Sequence, residues 1–306
     1  MLEEMDRSSI VLIGAGAAGS SMAIALGRAG FDIAAIASRS LASAERCAEL
    51  TGCTHAGTDL EAASQLGDVV IIATPDGAIA STCRQIADSG GFRPGQLVLH
   101  LSGALGSDAL LPARQAGADT LSMHPVQTLA EPIKGAELLT GAWFCLEGSN
   151  NAVTRGKAIA ESISGRSIVI ESSKKALYHA ALCVASNYLV TLEAMAEQML
   201  TRAGIPEENA LELLMPLIRG GVENLARSGL PDALTGPISR GDAETVRKHL
   251  LVLKEGPPET VTLYAELGLE TLKLAREKGR VQSERAEALT ALLEEQLAQG
   301  LLTPIR

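Results

Sequence analysis

Aromatic side chains are scarce in this 306-residue chain: three Phe, three Tyr and the single Trp143. So few rings exclude the stacking platforms that hold single-stranded nucleic acid. They also leave a core built from Ala, Leu, Ile and Val. Basic runs are missing as well. The 26 Lys and Arg are outnumbered by 36 Asp and Glu, giving a formal net charge of −10. That is the wrong sign for general attraction to nucleic acid or an anionic membrane. The five cysteines, Cys47, Cys53, Cys83, Cys145 and Cys183, are odd in number and scattered. They suit buried thiols in a reducing cytoplasm rather than a disulfide framework. Cys53 and His55 make a pair, not a set of four ligands, so no metal is expected. Neither a nucleophile elbow nor a Walker loop is present. The longest apolar stretch, Ile10 to Leu26, is interrupted by Gly14, Gly16, Gly19, Ser20 and Ser21, so it does not read as a membrane span. The start, Met1 to Arg7, is acidic and lacks the positive region of a signal peptide. These features together predict a soluble, cytoplasmic protein.

What the sequence does contain is alternation. Ser9–Ile13 is a short apolar run that stops at glycines, the pattern of a strand buried on both faces of a parallel sheet. A helix is expected over Ala17–Ala29, a second strand over Asp32–Ala37 and a helix over Leu41–Leu50. Further strands are expected at Asp68–Ala73, Gln96–His100, Thr120–Met123, Trp143–Glu147 and Ser167–Ile170, with a helix at 152–163. Strands separated by helices predict right-handed βαβ units and a doubly wound α/β sheet of the Rossmann kind. After Glu171 the pattern becomes helical: Lys174–Ala203, Glu207–Ser228, Asp242–Lys254, Thr260–Lys278 and Ser283–Ala298. The expected organisation is therefore a nucleotide-binding domain over 1–171 and an all-α domain over 172–306. The leucine-rich later helices could pack on themselves or across a homodimer.

Gly14-Ala15-Gly16-Ala17-Ala18-Gly19 is a G-x-G-x-x-G between the first strand and the first helix. In that setting Gly14 makes the tight turn and Gly16 admits a pyrophosphate. Gly19 lets helix and strand approach, and the helix N-terminus attracts the phosphates. The second strand ends in Ser38-Arg39-Ser40, without the carboxylate that would bind the ribose of NAD. A guanidinium between two hydroxyls suits the 2′-phosphate of NADP. The other reading is a solvated Arg39 and a Ser40 that caps the next helix. Thr74 and Pro75 close the strand after Asp68 and are expected beside the nicotinamide ribose, while Asp76 reads as a helix cap.

Two strand ends carry chemistry: His100-Leu101-Ser102-Gly103 and Met123-His124-Pro125. Either histidine could exchange a proton near neutral pH, or hold the strand end through backbone bonds. The Ser102 hydroxyl is expected to orient a substrate oxygen. At 100° per residue, Lys175, His179 and Ser186 share one face of the helix that opens the second half, with Asn187 further round. They form a substrate wall or, on the other reading, a solvated lysine and structural bonds. In the loop Leu234–Asp242, Thr235, Ser239 and Arg240 could take a substrate carboxylate, or Arg240 could serve an ion pair.

Taken together, the glycine fingerprint, Ser38–Ser40, His-Leu-Ser-Gly, Met-His-Pro, Tyr178-His179-Ala-Ala…Ser186-Asn187-Tyr188 and Leu-Thr-Gly-Pro-Ile-Ser-Arg-Gly-Asp resemble one family. It is the Rossmann-like proteins with a C-terminal DUF2520 domain, over about residues 8–275. More distantly the chain resembles pyrroline-5-carboxylate reductase and the 6-phosphogluconate dehydrogenase-like group. The doubled threonine of the reductases' substrate loop is absent here at Thr235-Gly236-Pro237. The resemblance implies an NADP(H)-dependent oxidoreductase with a helical dimerisation domain, acting on a small polar substrate such as a keto acid, imine or hydroxy acid. His124 would be the acid or base, with Lys175 and His179 positioning substrate. The alternative is a non-catalytic NADP-binding sensor.

Overall fold

In the computed structural model, residues 8–277 and 279–300 are described. The acidic start at 1–7 and Lys278 at the expected end of the fourth C-terminal helix lie outside them. The chain divides into two compact units, one reaching Tyr188 and the other starting at Leu189.

The first unit is an eight-stranded sheet with helices. In chain order it runs β1 (Ser9–Ile13), α1 (Ala17–Arg28), β2 (Asp32–Ala37), α2 (Leu41–Thr51), β3 (Ala56–Gly57), α3 (Leu60–Gln65), β4 (Val69–Ile72) and α4 (Asp76–Asp88). It continues with β5 (Leu97–His100), α5 (Leu111–Gln115), β6 (Asp119–Pro125), α6 (Pro132–Leu139), β7 (Trp143–Gly148), α7 (Asn150–Ser162), β8 (Arg166–Val169) and α8 (Lys175–Ala185). The strand order is β3-β2-β1-β4-β5-β6-β7-β8. Strand order reverses between β1 and β4, the switch point where such sheets bind ligands.

The apolar runs form strands because both of their faces are covered. Ile10 and Leu12 of β1, with Val69 and Ile71 of β4, pack into one core cluster. Val11, Ile13, Val70 and Ile72 pack into another. A polar residue at any of these positions would be buried without a partner, so the run carries no alternation. Helices α1 and α6 cross closely where Gly135 lacks a side chain against Ser21.

The sheet is mostly parallel, as the doubly wound reading expects, with β7 antiparallel to β6 and His124 opposite Cys145. An apolar strand looks alike in either direction, so the sequence held no signal for this. The two compact units divide at 188/189, and α8 is held in the first by the buried Lys175 ammonium, which donates to the Ser102 carbonyl just after β5. The expected helix Lys174–Ala203 is two helices, α8 and α9 (Asn187–Arg202), separated at Ser186. Ser and Asn side chains compete with helical backbone bonds, which favours a break there.

The second unit continues with α10 (Glu207–Ser228), α11 (Ala243–Leu253), α12 (Pro258–Glu277) and α13 (Ser283–Gly300). Its core comes from α11–α13, around Val246, Leu250, Leu272, Leu289 and Leu293. By contrast α9 buries none of its described residues, and α10 only Ala210 and Leu214. Val190 and Leu217 stand 71% and 73% exposed. Among the described residues, no helix is long and apolar enough to cross a membrane.

The βα turn at the switch point rests on Gly19. A Cβ there would lie 2.8 Å from the Ala73 Cβ and closer still to the Gly14 carbonyl oxygen. Gly19→Ala should therefore lower stability by about 2–3 kcal/mol, the usual scale of overpacking. Urea unfolding of the full chain measures this, and an unchanged midpoint would show that the turn yields freely.

Candidate active site

The glycine turn opens onto a cleft of about 620 Å³ that Gly16, Ser38, Arg39, Ser40, Thr74 and Pro75 help to line. Gly14 has φ +101°, and a Cβ on it would lie 2.9 Å from the Ala73 carbonyl group, so the turn requires glycine. A Cβ on Gly16 would meet nothing within 4 Å, so the space over this residue is open. Gly16 is also the N-cap of the 12-residue α1, with no side chain capping its free N–H groups. Ser40 stands at the N-cap of α2, yet its side chain accepts no cap bond. The capping alternative for Ser40 is therefore not realised. Thr74 adds a sharper signal, because its Oγ1 is buried without a hydrogen-bond partner. Such an orphan costs about 1–3 kcal/mol unless a ligand answers it. The turn's open space, the free helix N-terminus and this hydroxyl fit a bound dinucleotide phosphate and ribose.

Next in the chain to Pro75 of the cleft is Asp76, which belongs to a polar cluster. Asp76 is the first residue of α4, and its side chain makes no cap bond, contrary to the expected capping role. Instead Asp76 Oδ2 accepts from the Ser102 hydroxyl at 2.7 Å. Ser102 Oγ also accepts from the N–H groups of Ala104 and Leu105, at 3.2 and 3.1 Å. One donor and two acceptor positions exhaust a hydroxyl. Ser102 is thus held in place and is not free to orient a substrate, a correction to the sequence expectation.

His100 is fully buried. The Ser102 N–H donates to its Nδ1 at 3.2 Å, so Nε2 carries the proton and donates to the Gly106 carbonyl at 3.0 Å. Its protonation is pushed down chiefly by burial. For His100 the structural reading holds. His124 differs. Its Nδ1 meets the Tyr178 hydroxyl at 2.8 Å, and its ring stands edge-on to His179, with centroids 6.1 Å apart. Burial, the Lys175 charge and His179 push its pKa down to about 4.

Lys175 is 1% exposed. Its ammonium donates to the Ser102 carbonyl at 3.1 Å and to the Ser122 hydroxyl at 2.7 Å. Burial lowers its pKa, while the nearby Cys145, Glu147 and Asp76 act in the opposite sense. The solvated-lysine reading is therefore excluded for Lys175. His179 lies one turn further along α8, with Cys183 Sγ 3.9 Å from its Nδ1. Between the two rings sits Gly103, where a Cβ would lie 2.6 Å from His179 and 2.9 Å from His124 Nε2.

The fold thus brings Ser102, His124, Lys175 and His179 together from β5, β6 and α8. Ser186 lies beyond the end of α8, and Asn187 is exposed at the start of α9. Thr235 and Arg240 belong to the second unit and are exposed. Ser239 there is buried and donates to the Gly236 carbonyl at 2.9 Å, and Asp242 caps α11 through Thr245. Sequence reasoning passed over Tyr178, Ser122 and the true partner of Asp76. Tyr178 falls three residues after Lys175, so the helical spacing already held its signal.

Comparison with known proteins agrees with this architecture. Residues 3–125 match the Rossmann-like domain family, and residues 142–271 match a domain of unknown function, DUF2520. No curated protein matches the chain in sequence. A candidate NADP oxidoreductase from Bacteroides fragilis is 25% identical, with a TM-score of 0.70, over 88% of this chain and 99% of that one. A Thermotoga maritima protein is 28% identical over the same shares, with a TM-score of 0.69. A pyrroline-5-carboxylate reductase from Coxiella burnetii is 18% identical over 95% of this chain and 98% of that one, with a TM-score of 0.55. That last likeness concerns the fold alone.

The depressed His124 pKa has a thermodynamic consequence. Unfolded, the ring takes a proton near pH 6.5; folded, it does so at about 4. Between those values the unfolded chain binds the extra proton, so stability falls as pH drops through this window. His124 contributes up to about 3 kcal/mol of that loss, and His100 acts in the same direction. Urea midpoints near pH 7 and pH 4.5 should therefore differ less in His124→Gln than in the unaltered chain. Equal differences would refute the burial effect.

Proposed function

We propose that this chain, which joins a Rossmann-like domain to a DUF2520 domain, is an NADP(H)-dependent oxidoreductase. Its substrate is a small polar molecule, a keto acid, imine or hydroxy acid. The observation that carries the reading is the orphaned Thr74 hydroxyl in the cleft. It stands two residues before Asp76, whose bond to Ser102 joins the cleft to the His124–Lys175–His179 cluster. The Bacteroides fragilis protein, named for NADP oxidoreductase activity, supports the same reading.

In this reading Gly14, Ala15, Gly16, Ala17, Ala18 and Gly19 hold the pyrophosphate through backbone N–H groups. Ser38, Arg39 and Ser40 take the 2′-phosphate, and Thr74 and Pro75 line the nicotinamide ribose. When bound, the cofactor supplies or accepts a hydride at the substrate carbon. His124 stands at the reacting oxygen or nitrogen, the atom that changes protonation in the same turnover. His179 helps to shape the substrate site. Lys175 holds the Ser102–Gly103 turn and adds positive potential where negative charge develops. Asn187, Thr235 and Arg240 are the further substrate-binding candidates.

We also read the functional unit as a homodimer. In helices α9 and α10 only Ala210 and Leu214 are fully buried, and a second copy covering them would bury at least about 1,000 Å². Light scattering should return about twice the 31.8 kDa chain mass; a strict monomer would refute this.

The cofactor assignment is tested by titrating both nucleotides. NADPH should bind more tightly than NADH, and Arg39→Ala should reduce that preference by about 1–3 kcal/mol, the scale of a charge-assisted hydrogen bond. Equal affinities in the unaltered chain would overturn it. Activity is tested by a screen of keto acids and imines against NADPH, followed as loss of nucleotide absorbance. His124→Gln should then lower kcat by about 10²–10⁴-fold. Tight NADPH binding with no turnover of any such compound would favour the sensor reading.

A further inference from the structure

Tyr178 projects from α8 one turn after Lys175, and its hydroxyl lies 2.8 Å from His124 Nδ1. The thiol of Cys145 is buried nearby. Two proton arrangements are open to the Tyr178–His124 pair. In one, the phenol donates to Nδ1; in the other, Nδ1–H donates to the phenol oxygen. A phenol is a stronger acid than a neutral imidazole N–H, and an imidazole nitrogen is a better acceptor than a phenol oxygen. The first arrangement therefore pairs the stronger donor with the stronger acceptor.

We propose that Tyr178 is a positioning residue: its hydroxyl donates to His124 Nδ1 and fixes the imidazole in the tautomer that carries its proton on Nε2. Among the described residues Nε2 has no hydrogen-bond partner, and it lies against the backbone of Gly103. The group presented there is a neutral N–H donor. Burial, Lys175, His179 and His100 oppose a second proton on the ring, and only Asp76 among the charged neighbours favours it. A neutral donor at this place suits an oxygen or nitrogen that carries negative charge while hydride moves to or from its carbon. This consequence rests on the oxidoreductase reading above, whereas the tautomer does not.

The test is nitrogen-15 NMR of the full chain with labelled histidine near neutral pH, using His124→Gln to assign the His124 signals. The expected spectrum shows His124 Nε2 at a protonated position and Nδ1 at an unprotonated one. Tyr178→Phe should shift both nitrogens toward the average of two tautomers. Where a reducible substrate is found, the same variant should lower kcat about tenfold and leave KM within about twofold, because positioning acts on the chemical step. A proton on Nδ1 in the unaltered chain would overturn the proposal. So would a Tyr178→Phe spectrum unchanged from the unaltered one. Loss of the oxidoreductase reading would look different, with the expected His124 signals but no NADPH bound on titration.

Discussion

One buried charge organises the first unit. The Lys175 ammonium leaves water almost completely, and a lone buried cation is costly. Its compensation comes from the Ser102 carbonyl and the Ser122 hydroxyl, supplied by the ends of neighbouring strands, with the carboxylates of Asp76 and Glu147 nearby. That arrangement draws α8 onto the carboxyl end of the sheet. Tyr178 and His179 are then carried to His124 by helical geometry alone. It also fixes the turn after β5, whose serine reaches Asp76, next in the chain to Pro75 of the cleft. Removing Lys175 would leave the Ser122 hydroxyl and the Ser102 carbonyl bonded only to each other, and α8 without its buried anchor.

The parts legible in the sequence were those governed by local rules. Ser9–Ile13 reads as a strand because both faces are buried. Gly14, Gly16 and Gly19 read as a dinucleotide turn because each glycine answers a separate steric demand, and the structure presents those demands at Gly14 and Gly19. The polar face of the helix after Lys174 was visible from 100° spacing, and the fold brings Lys175 and His179 to Ser102 and His124.

What stayed hidden depended on partners distant in the chain. The direction of β7 is set by how α6 returns the chain, not by its own residues. The place of α8 in the first unit turns on the burial of Lys175, and no composition rule separates a buried lysine from a solvated one at a helix start. Ser102 and Asp76 each looked like a different kind of group, a substrate-orienting hydroxyl and a helix cap, until the fold brought these positions, 26 apart in the chain, into contact.

Gly103 makes the two histidines interdependent. Its missing side chain is the space that both rings occupy, one from a strand and one from a helix. A single added methyl group would press on His124 and His179 together, and neither could move aside without disturbing the other. The paired rings therefore have no gradual route to change at this position: a substitution there acts on the strand and the helix at once.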